Sequence, residues 1–377
     1  MNRLTTCFSL SLLAAVSALA ASGSAAPIYN ITSLSPDAVS GDSSSGTGIS
    51  SSGTYIAGWK TSPSGNTGFV RTEAGGTVDL PELSGGSNPY VQPAAVNNSG
   101  VVVGTGYATA FRVGALPLIW EDSSTVAQLP LPTGYGAGKA NAINDSGLAV
   151  GVAIGDIHEL ATTFTTTEAT ILTQTMPNGG LLQEAFGINN GGQIVGIALD
   201  PDNTASTRAF SLTPGSQYAT DLGNLPGHDS AIAFGVSENG YVVGTSAPLG
   251  GTSSPFIWSV TSGMVEIPKN GYENGTAVAV NSDGWVVGDM SSLTSVIFLY
   301  DGNETYLLND LIPAGSGWDL VGGTSNAALG ISEDGVITGR GLLNGEITGF
   351  VMTPVPEPNL TVLLFGALLS CLWIRRR

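Results

Sequence analysis

The chain has 377 residues and a formal net charge of −18 at pH 7. Residues 27–354 hold seven of the 11 Lys and Arg residues and 28 of the 29 Asp and Glu residues. A body this acidic repels nucleic acid and anionic lipid, which excludes DNA and RNA as partners. Both cysteines, Cys7 and Cys371, lie outside that body. The body is therefore not a disulfide scaffold, a thiolate–zinc protein or a cysteine enzyme.

Residues 1–25 have the pattern of a secretory signal peptide. Arg3 precedes an apolar stretch over residues 8–19, and Ala18-Leu19-Ala20 is a small-residue cleavage site. Residues 23–25 offer a second cleavage site. We therefore expect the protein to be exported.

Residues 26–353 are predicted to form one domain built from seven copies of a short signature. Each copy reads Ala or Gly, Ile or Val, Asn or Ser, two turn residues, Gly, and then a mostly β-branched run that ends in Gly. Its Ile or Val positions, 44 to 51 residues apart, are Ile49, Val96, Ile143, Ile188, Val236, Val280 and Ile331. Repetition at this period is typical of solenoids and propellers.

One copy predicts four antiparallel strands. Asn, Ser or Asp before Gly favours a type I turn with glycine in the left-handed conformation, which joins the first two strands. An aromatic strand such as Phe256-Ile257-Trp258 and a fourth strand such as Val265-Glu266-Ile267 complete the unit. Copy three is degenerate, with only Phe164 in a threonine-rich stretch. No segment of the body shows helical periodicity.

Four short strands per repeat predict an all-β fold, a seven-bladed β-propeller. The seventh copy stops at Pro354 without a fourth strand, and residues 28–34 form an orphan strand-like segment before the first copy. We expect this N-terminal strand to complete the seventh blade and close the ring, because blades must pack on one another and ring closure removes the free ends of the stack.

The repeats resemble the bacterial extracellular HAF repeat family. The clearest example runs from Gly187-Ile188-Asn189 through Arg208-Ala209-Phe210 to Asp221-Leu222-Gly223. The histidine of the family's name is absent, since Arg208, Ser254 and Ser295 stand near the matching place. The resemblance implies an extracellular setting but no defined chemistry.

Residues 354–377 combine three elements in order: Pro356-Glu357-Pro358, an apolar run over residues 360–374, and Arg375-Arg376-Arg377. The run spans only about 23 Å of a roughly 30 Å hydrocarbon core, which suits a transient transmembrane helix. The arginines favour a cytoplasmic end. This arrangement resembles the PEP-CTERM sorting signal. The resemblance implies an exosortase-type transpeptidase that cuts near Pro356, Glu357 and Pro358 while the helix sits in the inner membrane. An ordinary tail anchor is the alternative.

The body shows no catalytic or metal-binding motif. Its two histidines, His158 and His228, lie in different copies, and neither a His-Glu-x-x-His nor a Gly-x-Ser-x-Gly pattern occurs. The segments 200–203 and 301–304 cluster hard oxygen ligands, but Asp, Asn and Gly between strands also simply make turns. We therefore predict no cofactor and no metal, with calcium at these two segments as a weakly supported alternative.

The repeated Asn or Ser after each Ile or Val admits two interpretations: the side chains line a polar channel, or each one hydrogen-bonds its own turn. We favour the local interpretation. The seven residues are Ser50, Asn97, Asn144, Asn189, Ser237, Asn281 and Ser332.

Loops after the second and fourth strands of a blade emerge on one face, and here they are the long ones. Binding residues commonly lie in variable loops on a rigid scaffold. Aromatic and acidic groups in these loops predict a ligand surface that suits a glycan; they are Trp318, Asp319, Tyr272, His228 and Tyr135.

The sequence thus predicts an exported propeller, presented on the cell surface or released into an extracellular matrix. Its expected role is binding or structure, in association with extracellular polysaccharide. The alternatives are a secreted glycan lyase or hydrolase, and a purely structural coat protein. A cluster of acids with an arginine or histidine at the channel mouth would favour the enzyme.

Overall fold

The computed structural model describes residues 26–35, 41–62, 65–72, 76–83, 90–107, 114–322 and 325–356. The predicted signal peptide lies outside these residues. So do residues 357–377 of the predicted sorting segment, including Glu357, Pro358, Arg375, Arg376 and Arg377. Within the described ranges, no helix is long and apolar enough to cross a membrane.

The strands belong to one compact unit, Tyr29–Pro354, and form seven antiparallel sheets. Blade 1 contains β2 (Ser43–Ile49), β3 (Tyr55–Ser62), β4 (Gly65–Thr72) and β5 (Gly76–Asp79). Blade 2 contains β6 (Tyr90–Val96), β7 (Val102–Tyr107), β8 (Ala115–Asp122) and β9 (Thr125–Gln128). Blade 3 contains β10 (Ala137–Ile143), β11 (Ala149–Ile154), β12 (Glu159–Phe164) and β13 (Ala169–Ile171).

Blade 4 contains β14 (Leu182–Ile188), β15 (Ile194–Leu199), β16 (Thr207–Leu212) and β17 (Thr220–Asp221). Blade 5 contains β18 (Ser230–Val236), β19 (Val242–Ala247), β20 (Ser254–Ser259) and β21 (Gly263–Glu266). Blade 6 contains β22 (Asn274–Val280), β23 (Val286–Ser291), β24 (Ser295–Tyr300) and β25 (Thr305–Leu307). Blade 7 contains β27 (Ala327–Ile331), β28 (Ile337–Leu343), β29 (Glu346–Pro354) and β1 (Tyr29–Ser33), with the short β26 (Trp318–Asp319) on β28. The predicted all-β, seven-bladed propeller is confirmed.

The predicted closure is also confirmed. β1 pairs antiparallel with β29 from Tyr29 opposite Pro354 to Ser33 opposite Phe350. The pairing continues through Leu34, whose N–H donates to the carbonyl of Gly349 at 2.8 Å. The first and last strands of the described chain, β1 and β29, therefore share one blade.

Buried side chains form a separate apolar layer at each junction between neighbouring blades. Between blades 1 and 2, for example, Ala57 and Val70 pack with Val102, Leu118 and Trp120. The other junctions have clusters of the same kind. Since a blade buries both faces in this way, the continuous β-branched runs of the second strands are explained.

Two sets of glycines shape each blade. The turn glycine between the first two strands has a positive φ in every copy, from 74° at Gly53 to 91° at Gly240, as the turn type requires. The closing glycine permits close approach across the sheet. A Cβ at Gly196 would collide with the carbonyl oxygen of Glu184 and lie 2.8 Å from Cε1 of Phe210.

Two details differ from the sequence-based expectation. The long loop predicted to hold Trp318 and Asp319 is not irregular throughout, because it begins in a 3-10 helix (Leu308–Leu311) and Trp318–Asp319 forms β26. Copy three builds a full four-stranded blade despite its degenerate sequence. Its single aromatic side chain, Phe164, is fully buried and pairs with Ala149.

Tyr29 offers a test of the closing strand. Its side chain is fully buried, but its hydroxyl has no hydrogen-bond partner among the described residues, and burial raises the pKa of the phenol. We expect Tyr29→Phe to stabilise the fold by about 1 kcal/mol, because it removes an unsatisfied buried hydroxyl. Tyr29→Ala should destabilise it by about 3–5 kcal/mol. Denaturant unfolding measures both, and a destabilised Tyr29→Phe would show that the hydroxyl has a partner.

Candidate functional site: the central channel

The innermost strand of every blade carries a pairing irregularity at the same place, immediately before the signature Ala or Gly. In blade 5, for example, the register skips Phe234 between Ala233 and Gly235. A β-bulge leaves one residue outside the ladder and redirects its side chain. The seven bulge residues line one cavity on the ring axis with a volume of about 380 Å³; they are Thr47, Ala94, Asn141, Phe186, Phe234, Val278 and Leu329.

The channel lining differs between its two halves. Blades 4 to 7 contribute Phe186, Phe234, Val278 and Leu329, whereas blades 1 to 3 contribute the small or polar bulge residues. The rings of Phe186 and Phe234 lie 5.3 Å apart with an interplanar angle of 54°. This tilted aromatic pair presents a half-buried apolar surface to the channel.

The polar half is held by hydrogen bonds between blades. The hydroxyl of Thr47 donates to the carbonyl of Pro93 at 2.7 Å. Nδ2 of Asn141 donates to Oε1 of Glu184 and to the carbonyl of Ala185, both at 2.9 Å. These bonds orient the side chains of Thr47 and Asn141 in the channel wall.

Three carboxylates lie at the channel mouth formed by the tight turns: Asp145, Glu238 and Glu333. Each accepts a backbone N–H from the turn of the preceding blade. Asp145 accepts from Asn98 at 2.9 Å, Glu238 from Asn190 at 2.9 Å, and Glu333 from Ser282 at 3.0 Å. The acids therefore link blades while giving this mouth a negative field.

Two of these carboxylates act on the third, Glu238. Burial raises the pKa of Glu238 above the ordinary glutamate value, and the charges of Glu333 and Asp145 raise it further, although the Asn190 N–H opposes the rise. Like charges that perturb a pKa lie close together. The mouth thus concentrates negative charge from three different blades.

The repeated asparagines combine a local role with one between blades. Oδ1 of Asn97 accepts the N–H groups of Ser99 and Val101, both at 3.0 Å, as the local interpretation predicts. Its Nδ2 also donates to the carbonyl of Asn144 in the next blade at 3.1 Å. Asn144, Asn189 and Asn281 repeat this second bond to the carbonyls of Asn189, Ser237 and Ser332. Sequence reasoning missed that bond.

The serine hydroxyls of the signature, which can both donate and accept, bond within their own turns. In blades 1, 5 and 7 the hydroxyls of Ser50, Ser237 and Ser332 accept the N–H groups of Tyr55, Tyr241 and Val336. The junctions that follow these blades use other bonds. For example, the N–H of Glu333 donates to the carbonyl of Ser51 at 2.9 Å.

Trp318 and Asp319, predicted as ligand-binding residues, are used by blade 7 itself. The Trp318 ring makes an edge contact with Phe350, with centroids 6.0 Å apart, and packs against the cluster between blades 6 and 7. Asp319 accepts the N–H groups of Gly322 and Val321 at 2.8 and 2.9 Å, and these two bonds lower its pKa. The turn thus uses the carboxylate.

The other three predicted residues also contact their local surroundings. The Tyr135 ring lies beside Gly155, where an added Cβ would stand 3.1 Å from Cε1 of the ring. Nδ1 of His228 is 3.1 Å from the Ser246 hydroxyl, and Tyr272 packs against the cluster between blades 5 and 6. These contacts hold the three residues in separate loops, and a common glycan surface stays a prediction.

The two oxygen-rich segments are organised as turns. Asp200 is buried and accepts from Nε of Arg208 at 2.9 Å and from the N–H of Asp202 at 3.1 Å. Oδ1 of Asp301 accepts the N–H groups of Asn303 and Glu304, both at 2.8 Å. In the described part of the chain, no group of three or more His, Cys, Asp or Glu residues is placed to hold a metal ion.

The channel residues carried a sequence signal that the repeat alignment alone could have located. The variable channel residues occupy the position two residues before the signature Ile or Val in every copy, and in five copies also the position two residues after it, for example Phe234 and Glu238 around Val236. These positions vary in chemistry from copy to copy, unlike the framework residues between them. Only the ring shows that they face one cavity.

No family model matches the chain, and no curated protein matches it. Among solved structures, an oligogalacturonate lyase in complex with manganese is similar at 11% identity and a TM-score of 0.55, covering 87% of this chain and 93% of that one. The oligogalacturonate lyase of Vibrio parahaemolyticus gives 10% identity, a TM-score of 0.55, and 87% and 94% coverage. A prolyl endopeptidase gives 14% identity, a TM-score of 0.54 and 84% coverage, but the chain spans only 50% of its length. At such identities the likeness shows the propeller fold alone.

Substitution of one asparagine separates its two roles. Asn97→Ser keeps the local acceptor but loses the bond to the next blade, so we expect a loss of about 0.5–1.5 kcal/mol. Asn97→Ala also leaves turn N–H groups unsatisfied and should lose about 1–3 kcal/mol more. Equilibrium unfolding measures both variants. Ser332→Ala is the matched control, because it removes only a local bond, and its effect should equal the Asn97→Ser to Asn97→Ala step.

The pH dependence of stability tests the acidic mouth. The folded state raises the pKa of Glu238, so the protonated side chain stabilises the fold at low pH. This stabilisation is lost as the pH rises through the folded-state pKa. Glu238→Gln keeps an acceptor for the Asn190 N–H but removes the charge. We expect it to melt slightly above the wild type at pH 7, with the difference vanishing toward about pH 3, below the ordinary glutamate pKa of about 4.3.

Thermal melts at both pH values, in low salt, make this comparison. Glu121→Gln, at an exposed strand end of blade 2, is the control and should shift the melting temperature little at either pH. A Glu238→Gln variant that is less stable at pH 7 would show that the charged hydrogen bond outweighs the repulsion.

Proposed function

We propose that the protein is an exported binding propeller whose ligand site is the central channel, displayed at the cell surface or in an extracellular matrix. The observation that carries this proposal is the channel itself. It is a preformed cavity of about 380 Å³, apolar and aromatic on one side, with amide, hydroxyl and carboxylate groups elsewhere. Cavities of this size and composition are typical of small-ligand sites.

The purely structural alternative is less well supported, because it predicts faces without a concave polar pocket. The catalytic alternative, a glycan lyase or hydrolase, requires acids together with an arginine or histidine at the channel mouth. The mouth has Asp145, Glu238 and Glu333, but the described residues that line the cavity include no Arg, His or Lys. Binding is therefore the function that we place first.

Surface display rests on the terminal segments. A signal peptide over residues 1–25 would export the chain. The PEP-CTERM-like segment 354–377 would hold it in the inner membrane until an exosortase-type transpeptidase cuts near Pro356-Glu357-Pro358. The strand order suits this sequence of events, since β29 ends at Pro354 and is already covered by β1. Loss of the tail would thus leave blade 7 complete. After this cleavage we expect the protein to be surrounded by extracellular polysaccharide.

Mass spectrometry of the protein on the surface of its host tests this proposal. We expect a new amino terminus after Ala20 or Ala25 and a new carboxyl terminus near Pro356-Glu357-Pro358. Glu357→Ala should leave the protein in the membrane fraction with its tail intact, whereas Glu121→Ala, on the propeller, should be processed normally. An uncut tail on surface-exposed wild-type protein would support the tail-anchor alternative instead.

A further inference from the structure

The channel restricts its ligand by charge as well as by shape. Asp145, Glu238 and Glu333 surround the tight-turn mouth, and the described lining residues include no cationic side chain to neutralise them. Oε2 of Glu238 and Oε2 of Glu333 accept backbone N–H groups, which leaves the second oxygen of each carboxylate available as an acceptor. An anionic ligand would be repelled there.

The channel wall below the mouth favours an apolar group on the ligand. Phe186 and Phe234 form a tilted pair, and Val278 and Leu329 continue the apolar surface over the next two blades. An aromatic or aliphatic group gains from burial against this half, whereas a compact hydrated ion does not. The mouth thus restricts the charge of one part of the ligand, and the wall favours an apolar group in another part.

The distance between the apolar wall and the carboxylates at the mouth sets the length that a ligand needs to contact both. Phe234 and Glu238 are four residues apart on one chain segment. At about 3.3 Å per residue, their Cα atoms are at most about 13 Å apart. The same offset relates Leu329 in the wall to Glu333 at the rim. A ligand several bonds long can therefore reach both features.

We propose that the channel binds a small organic cation, in which an ammonium or guanidinium group meets the carboxylates at the mouth and an apolar body lies against Phe186 and Phe234. This inference rests on the proposed function, because it assigns a ligand class to the same site. The ion pair relieves the repulsion among the three carboxylates, and the aromatic pair excludes water from the body of the ligand.

Three probes with one apolar body separate charge from shape: 4-phenylbutylamine, 4-phenylbutan-1-ol and 4-phenylbutanoate. Calorimetry with the purified full chain measures their dissociation constants. We expect the amine to bind about tenfold or more tightly than the alcohol in low salt, and the butanoate not to bind. Raising the salt to about 0.3 M should weaken the amine selectively, because screening acts on the ion pair.

Two variants assign the effects to the two parts of the site. Glu238→Gln should weaken the amine about three- to tenfold and leave the alcohol unchanged. Phe234→Ala should weaken both by about three- to tenfold. Glu121→Gln, outside the channel, is the charge-matched control and should change neither. Thermal melts of each variant confirm that it is folded.

The outcomes distinguish the ligand class from the site. If the alcohol binds as tightly as the amine and Phe234→Ala weakens both, the channel remains a binding site but the cationic class is wrong. Amine binding that survives both variants lies elsewhere on the protein and overturns the inference. Absence of binding by all three probes to folded wild type also overturns it, while mass spectrometry tests the surface display independently.

Discussion

The pairing of β1 with β29 is the constraint on which the rest of the structure depends. An antiparallel blade with two apolar faces is stable only when another blade covers each face, and only a closed ring provides this for every blade. The strand Tyr29–Ser33 supplies the outer strand that blade 7 lacks. With the ring closed, blade 7 and blade 1 are covered on both faces. The seven inner strands then have fixed positions around the axis, and these strands form the channel.

A second layer of order comes from the tight turns. Each asparagine of the signature organises its own turn with Oδ1 and holds the next blade with Nδ2. Where an acid follows the asparagine or serine of the signature, its carboxylate also links two blades by accepting a backbone N–H, as Glu238 does from Asn190. Because these polar bonds complement the apolar layers between blades, the ring is hydrogen-bonded near its axis as well as packed at its sides.

This architecture separates the framework from the variable positions. Signature residues make turns, allow close strand approach or fill the layers between blades, and they recur in every copy. The bulge residue of every blade lines the channel, and so does the residue after the asparagine or serine in blades 1, 3, 4, 5 and 7. These residues differ from copy to copy: Phe186 and Phe234 lie on one side, Thr47 and Ala94 on the other. A seven-fold scaffold thereby encloses a cavity that is not seven-fold symmetric. The long loops, in contrast, use several of their aromatic and acidic groups for their own packing, as Trp318 and Asp319 do.

The fold could be derived from the sequence because its determinants are local and repeated. The Asn-x-x-Gly turns, the β-branched runs and the 44- to 51-residue period define each blade, and the missing strand after Pro354 predicts closure by residues 28–34. The site could not be derived in the same way. A β-bulge depends on how two strands pair, so the sequence does not show that Phe234 turns toward the axis. The bond from Asn97 to Asn144, and the effect of the charges of Asp145 and Glu333 on Glu238, join residues about one to four repeats apart. Local patterns thus determined the blade, whereas the channel and its charge arise only when the ring brings distant copies together.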